Sequence, residues 1–221
     1  MAIVIIKPSV ELGPQLILTP ERYNPKRRLE FADENDGVLL SEIVKVTNDV
    51  ITVKKTAIGS YYPINTSDAM GGYLHIPNCP ERLNSNKKEI HKGDVIISRL
   101  RPYLKQVAYV DKEVDNGVFA ASTEFYVLRS VSNESIAYLI PFLLCDEVQI
   151  VFANSVEGSQ HPRFKEEDLL NLIVPRDMYK NRHEISDSVE VALRHYREYE
   201  STILWQTEMA NSIMNSLRKA Q

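Results

Sequence analysis

The chain is short of the residues that anchor most small-protein chemistry. It has two cysteines, Cys79 and Cys145, among 221 residues. A pair this far apart in sequence supports neither a zinc site nor a disulfide framework, and a reducing cytoplasm is the simpler setting. The five histidines are His75, His91, His161, His183 and His195. They are scattered without ligand-like spacing, so no metal centre is expected. No apolar run is long enough to span a membrane. The opening MAIVIIKPSVELG lacks a basic lead and a small-residue cleavage site, and reads as a strand instead of a signal peptide. A Gly-rich phosphate loop, a nucleophile elbow and His-Glu-x-x-His are all missing, as are the Asn-Pro-Pro-Tyr-type and Gly-rich cofactor loops of adenine methyltransferases. The adjacent acids Glu166-Glu167-Asp168 fall in a helix first turn, where capping and the dipole explain them. With no activated group, catalysis by this chain is not expected.

There is no excess of positive charge overall: 26 Lys/Arg stand against 30 Asp/Glu, and the net charge of −4 argues against a general polyanion binder. Its distribution is uneven. From Glu81 to Lys112 eight Lys/Arg stand against four Asp/Glu. A locally basic segment on an acidic chain suggests one binding face, although a solvated loop is the plainer reading of the charge alone.

The strongest pattern is C-terminal. Ile185, Val189, Ala192, Tyr196, Tyr199, Ile203, Gln206, Ala210, Ile213 and Leu217 recur at steps of four and three, uninterrupted by Gly or Pro. That is the 3.5-residue period of a coiled-coil seam. A helix of this run is about 50 Å long, a spacer or assembly device. Leu204 and Trp205 fall off the seam, either on the chain's own domain or as a docking patch, and Gln206 is a polar group suited to fixing register.

Ahead of it the chain reads as β-rich with long loops. Strands are expected at Ala2–Ile6, Gln15–Leu18, Val50–Val53, Val95–Ser98, Gln106–Val110 and Thr123–Leu128, and Leu39–Val46 fits a strand or a short helix. Gly93-Asp94 and Asn116-Gly117 are turn signals. A helix capped by Ser132 or Asn133 should run to about Phe152 with a kink or break at Pro141. A loop at Glu157–Ser159, a short helix at Lys165–Asn171, a strand at Leu172–Val174 and a polar linker over Arg176–Arg182 complete the reading. The fold class is α+β, with a β-rich domain over residues 1–180 followed by a long helix over 181–221.

Lys92–Val110 (KGDVIISRLRPYLKQVAYV) followed by Ala121–Arg129 (ASTEFYVLR) resembles the target-recognition domain of specificity (S) subunits of type I restriction-modification enzymes. Glu21–Glu30 (ERYNPKRRLE), Leu39–Asp49 (LLSEIVKVTND) and Glu157–Pro175 (EGSQHPRFKEEDLLNLIVP) are similar, in order, to the family's preceding, opening and closing segments. The family's usual Glu-Gln-x-x-Ile at the start of the helix is replaced by Arg182-His183-Glu184-Ile185. A full subunit holds two recognition domains and two helices, and this chain has room for one of each, so the likeness is to a half-size form.

The resemblance implies a non-catalytic, cytoplasmic subunit that reads half of a split site in double-stranded DNA. It implies methyltransferase subunits as partners, with S-adenosylmethionine bound by them and no cofactor in this chain. A restriction or translocase subunit is a further partner, no membrane is involved, and a homodimer forms through Ile185, Val189, Tyr196, Tyr199, Ile203, Ile213 and Leu217. By residue type, Arg99 and Arg101 suit guanine edges or phosphate, Lys87, Lys88, Lys92 and Lys105 suit phosphate, and Arg163 is a DNA-binding candidate in the closing loop. Tyr61, Tyr62 and Tyr103 suit stacking, Asn84 and Asn86 suit adenine edges, and His161 lies in the closing loop. The ordinary alternatives are ion pairs of Arg99 or Arg101 with Asp94 or Glu124, and Tyr62 or Tyr103 in the core. Two other functions stay open: the specificity subunit of a related type II or methylation-linked defence system, and a coiled-coil adaptor whose head binds protein.

Overall fold

The computed structural model describes residues 6, 8, 9, 37–53, 61–156 and 160–219, with side chains to residue 215. Apart from Ile6, the strands expected at Ala2–Ile6 and Gln15–Leu18 lie outside those residues. So do the polar stretch Glu21–Glu30, the Glu157–Ser159 loop and the side chain of Leu217.

Two four-stranded sheets form the body. The first orders as β2 (Val44–Thr47), β11 (Phe125–Ser130), β8 (Val95–Ser98) and β9 (Val107–Tyr109), antiparallel throughout. The second orders as β3 (Val50–Ile51), β7 (Lys87–Ile90), β10 (Val118–Ser122) and β4 (Tyr61–Ile64), with β10 and β4 parallel. Successive side chains of a strand point to opposite faces. Ile96, Ala108, Phe125 and Val127 of the first sheet therefore meet Ile64, Ile90, Phe119 and Ala121 of the second in one apolar cluster. Val95, Ile97, Val107, Tyr126 and Leu128 face the other way, into a larger cluster completed by helices. Burial on both faces explains why Val95–Ser98 reads as an unbroken apolar run instead of an alternating one.

The helices covering that outer face are α2 (Leu139–Leu144), α3 (Asp146–Ser155), α4 (Glu166–Leu170) and the N-terminal half of α6 (Arg182–Lys219). Pro141 does not break the expected helix. It sits in the first turn of α2, where no intrahelical N–H is needed, and the break falls at Cys145, whose backbone is extended. Neither Ser132 nor Asn133 caps a helix: Asn133 has φ 61° in a bend, and α2 starts only at Leu139. Leu39–Val46 resolves into both alternatives, with β1 (Gly37–Leu39), α1 (Leu40–Ile43) and β2 in succession. β1 pairs with β12 (Ile173–Pro175), which joins the opening and closing segments. The expected linker is a short helix, α5 (Arg176–Lys180). The small hairpin β5 (Ala69–Met70) and β6 (Tyr73–Leu74) turns at Gly72 (φ +87°), where a Cβ would lie 2.5 Å from Ile140 Cγ2.

Helix α6 has 38 residues, about 57 Å. It is two things in sequence. Ser186, Val189, Leu193, Arg197 and Glu200, at steps of three and four, lie on the domain. From Ser201 to Asn215 every residue is exposed, Ile203, Leu204, Trp205, Met209, Ile213 and Met214 included. No described helix is long and apolar enough to cross a membrane.

Candidate nucleic-acid interface

The C-terminal end of β8 brings together two segments distant in sequence. Leu100 bridges Arg163 in antiparallel fashion. The Arg101 N–H donates to the Pro162 carbonyl at 2.9 Å, and the Phe164 N–H to the Arg99 carbonyl at 3.2 Å. Both segments were singled out in the sequence, and backbone pairing places Arg99, Arg101 and Arg163 side by side, with exposed His161 beside them.

Glu124, in the turn between β10 and β11, organises this end. It accepts from Arg99 Nε at 3.0 Å and from Arg163 Nε and Nη2 at 2.9 and 2.7 Å. The Arg163 hydrogen bonds and, after a smaller opposing effect of burial, those of Arg99 hold its carboxyl down at about 2. Two guanidinium groups share one carboxylate, so the cluster keeps a net positive charge while both arginines are fixed in place. The Arg99–Glu124 pair is the ordinary alternative weighed for that residue. Glu124 was legible only as such a partner, the single acid of the Ser-Thr-Glu-Phe motif.

The next residues protrude. Arg101 and Lys105 both have φ 50° and bracket a 3-10 turn, Pro102–Leu104. Pro102 is buried, whereas Tyr103 is 64% and Leu104 44% exposed. Lys105 Nζ pairs with Asp146 at 2.7 Å, at the first turn of α3. Tyr103 is thus outside the core, and Leu104 is an exposed neighbour that residue type alone did not suggest.

Other nominated residues are placed elsewhere. Lys88 is a core group, 9% exposed, donating to the Phe125 carbonyl at 2.9 Å and lying over the Tyr126 ring. Burial, then the nearby Arg99 charge, lowers its pKa. A phosphate contact from Lys88 does not fit that position: β7 pairs Lys88 with Ala121, whose face is turned to the sheet interface. Lys87 is half-buried opposite Ser122, near the Glu124 end. Lys92 is exposed in the turn that precedes β8, so a four-residue strand, about 13 Å, separates it from Arg99. That far end is held by Arg129, which grips Asp94 with two 2.8 Å bonds. The basic segment is therefore not one face. Tyr62 packs edge-on against Phe119, centroids 6.2 Å apart, as a core plug. Tyr61 is half-buried and Asn84 exposed, while Asn86 Oδ1 accepts the Val53 N–H at 3.2 Å.

The helical seam divides in the same way. Ile185 and Val189 pack on the chain's own core, so they are not free for a second helix. Tyr196 packs against Tyr73 with ring centroids 3.8 Å apart and planes tilted by 46°, and Tyr199 lies edge-on to Tyr196. Arg197, stacked over the same Tyr73 ring, grips Asp111 at 2.7 and 2.9 Å and donates to the Leu74 carbonyl at 2.8 Å. Glu200 bonds Tyr73 and His75. Among those described, the large seam side chains that stay exposed are Tyr196, Tyr199, Ile203 and Ile213.

No family model matches the chain. A curated relative, the type I restriction enzyme HindI specificity subunit of Haemophilus influenzae, is 36% identical over 73 residues, covering 32% of this chain and 16% of the relative. A solved chain from work on complex assembly and conformational transition of a type I R-M system matches with TM-score 0.52 and 23% identity, over 79% of this chain and 48% of that one. The HsdS subunit of Thermoanaerobacter tengcongensis matches at TM-score 0.47 and 23% identity over the same shares. The chain thus spans about half the length of these solved chains and less of the curated relative. The resemblance read from the motifs is met in both sequence and fold: the chain is similar to type I restriction-modification specificity subunits, and its fold is α+β with a β-rich domain and a long C-terminal helix.

Proposed function

We propose that this chain is a non-catalytic DNA-reading subunit of a type I-like restriction-modification or methylation assembly in the cytoplasm. The observation that carries this reading is the convergence of Arg99, Arg101, Lys105, His161 and Arg163 at one end of the first sheet, where the backbone of the closing segment pairs with that of β8's exit. That end offers fixed guanidinium groups to base edges or phosphates, with Lys105 as a neighbouring cation. The exposed part of α6 supplies Tyr199, Ile203 and Ile213 for pairing with a second helix, which in a two-fold dimer sets the distance between two recognition domains. Partner methyltransferase subunits bring S-adenosylmethionine and the reaction, with Trp205 and Leu204 on the overhang as a surface for them. A nuclease or translocase subunit is the further partner.

Titrating duplex DNA against the protein as salt is raised tests the DNA role. Four phosphate contacts predict a fall of about a hundredfold in affinity between 50 and 200 mM salt. Absence of duplex binding even at low salt favours instead the adaptor reading, in which the head binds protein. The solution mass of wild type and of Ile203→Asp with Ile213→Asp tests the rod. A dimer that the double change splits supports self-pairing, and a monomer in both overturns it.

A further inference from the structure

The Pro102–Leu104 turn places two apolar side chains where the fold has no use for them. Tyr103 and Leu104 are adjacent and exposed, on the outside of the convergence described above. Their seat is unusually firm. Arg101 and Lys105, on either side, both hold a left-handed backbone that residues with a Cβ avoid, so the surrounding bonds must impose it. The Leu104 N–H donates to the Arg101 carbonyl at 2.9 Å, and the Lys105 N–H to the Pro102 carbonyl at 2.8 Å. The buried Pro102 ring fixes its own φ, the Arg101 N–H is tied to the closing segment, and Lys105 is tied to α3 through Asp146. A flexible loop would let the two side chains fold back onto the surface; this turn keeps them out.

We propose that the turn is a wedge that enters a base step of duplex DNA. Tyr103 and Leu104 unstack the step while Arg101 meets the adjoining phosphate and Lys105 stays on Asp146, holding the turn. This rests on the DNA-reading function proposed above. Charge complementarity selects the occupant: Arg101, with Arg99 and Arg163 set against the single carboxylate of Glu124, leaves net positive charge beside an apolar tip. That pairing matches an opened base step between phosphates, whereas a protein surface fitting it would have to be acidic. Apolar side chains inserted between base pairs kink the duplex, and a base step opened beforehand spares the unstacking cost.

The probe is a 30-base-pair duplex with a central two-nucleotide bulge, compared with the fully paired duplex of the same sequence at equal salt. The wild-type chain is expected to bind the bulged duplex tenfold or more tightly, about 1.4 kcal/mol. Tyr103→Ser with Leu104→Ser should abolish the preference and leave the salt slope as it was, since the cations remain. Tyr103→Phe with Leu104→Met keeps an apolar tip and should keep the preference. Circular dichroism of each variant establishes that the fold is intact. Equal binding of both duplexes by wild type, or a preference that survives the double serine change, overturns the wedge while DNA reading stands. Absence of binding to either duplex overturns the DNA reading, and the wedge with it.

Discussion

Replacing Glu124 with Gln tests the geometry of the arginine cluster directly. The side chain keeps its shape and one acceptor oxygen but loses the charge that three guanidinium N–H groups share. A carboxyl lowered from 4.5 to about 2 is equivalent to about 3 kcal/mol at 1.36 kcal/mol per pH unit. Both arginine partners are more than a third exposed, so solvent screening reduces this to about 1.5–2 kcal/mol. The sign follows from the direction of the shift. A depressed carboxyl stabilises the fold fully above its unfolded value of 4.5 and loses that contribution as pH falls toward about 2. Urea unfolding of wild type and E124Q, followed by circular dichroism, should differ by this amount at pH 7. The two curves should draw together on titration through pH 4 and 3. Other paired carboxylates titrate equally in both proteins and cancel in the difference. A gap that stays constant across that window, or one below about 0.5 kcal/mol at pH 7, refutes the assignment of Glu124 as the shared counter-charge.

Arg197→Ala should cost about 3 kcal/mol, because it strands the largely buried Asp111 and removes the stack on Tyr73; a double-mutant cycle with Asp111→Ala should return a coupling above about 1 kcal/mol. Lys88→Met keeps the volume and removes a buried charge, so urea unfolding at pH 7 should show stability unchanged or raised. Its salt slope for DNA should match wild type, and a slope reduced by about one would restore Lys88 as a phosphate contact.

What the sequence made legible followed from periodicity and turn chemistry. The run Val95–Ser98 announced a doubly covered strand, Gly93-Asp94 its preceding turn, and the heptads a long helix. The chemistry of the site was legible only as residue types in motifs. That Arg163 would lie against Leu100 is a long-range pairing, and no local pattern encodes it. Lys88 deceived because charge is read as exposure, yet its place in β7 opposite Ala121 turns it inward, where a carbonyl receives it. Pro141 deceived in the other direction: its effect depends on whether it stands in the first turn or later, and that depends on where the helix begins. The heptad pattern was real, but its apolar positions could be spent on any apolar surface, and Ile185 and Val189 spend theirs on the domain.

The attachment of α6 fixes where this molecule can be cut. The sequence divides at residue 180, but the fold does not, because Ser186, Leu193 and Arg197 complete the domain's core and its polar clamp. The β-rich head, transplanted to another rod, must carry its own helix as far as Glu200, and the exchangeable part begins at Ser201. Recombination that swaps heads at the foot of the helix would deliver an unfinished domain. Recombination about five turns further along would deliver a complete one, already aimed.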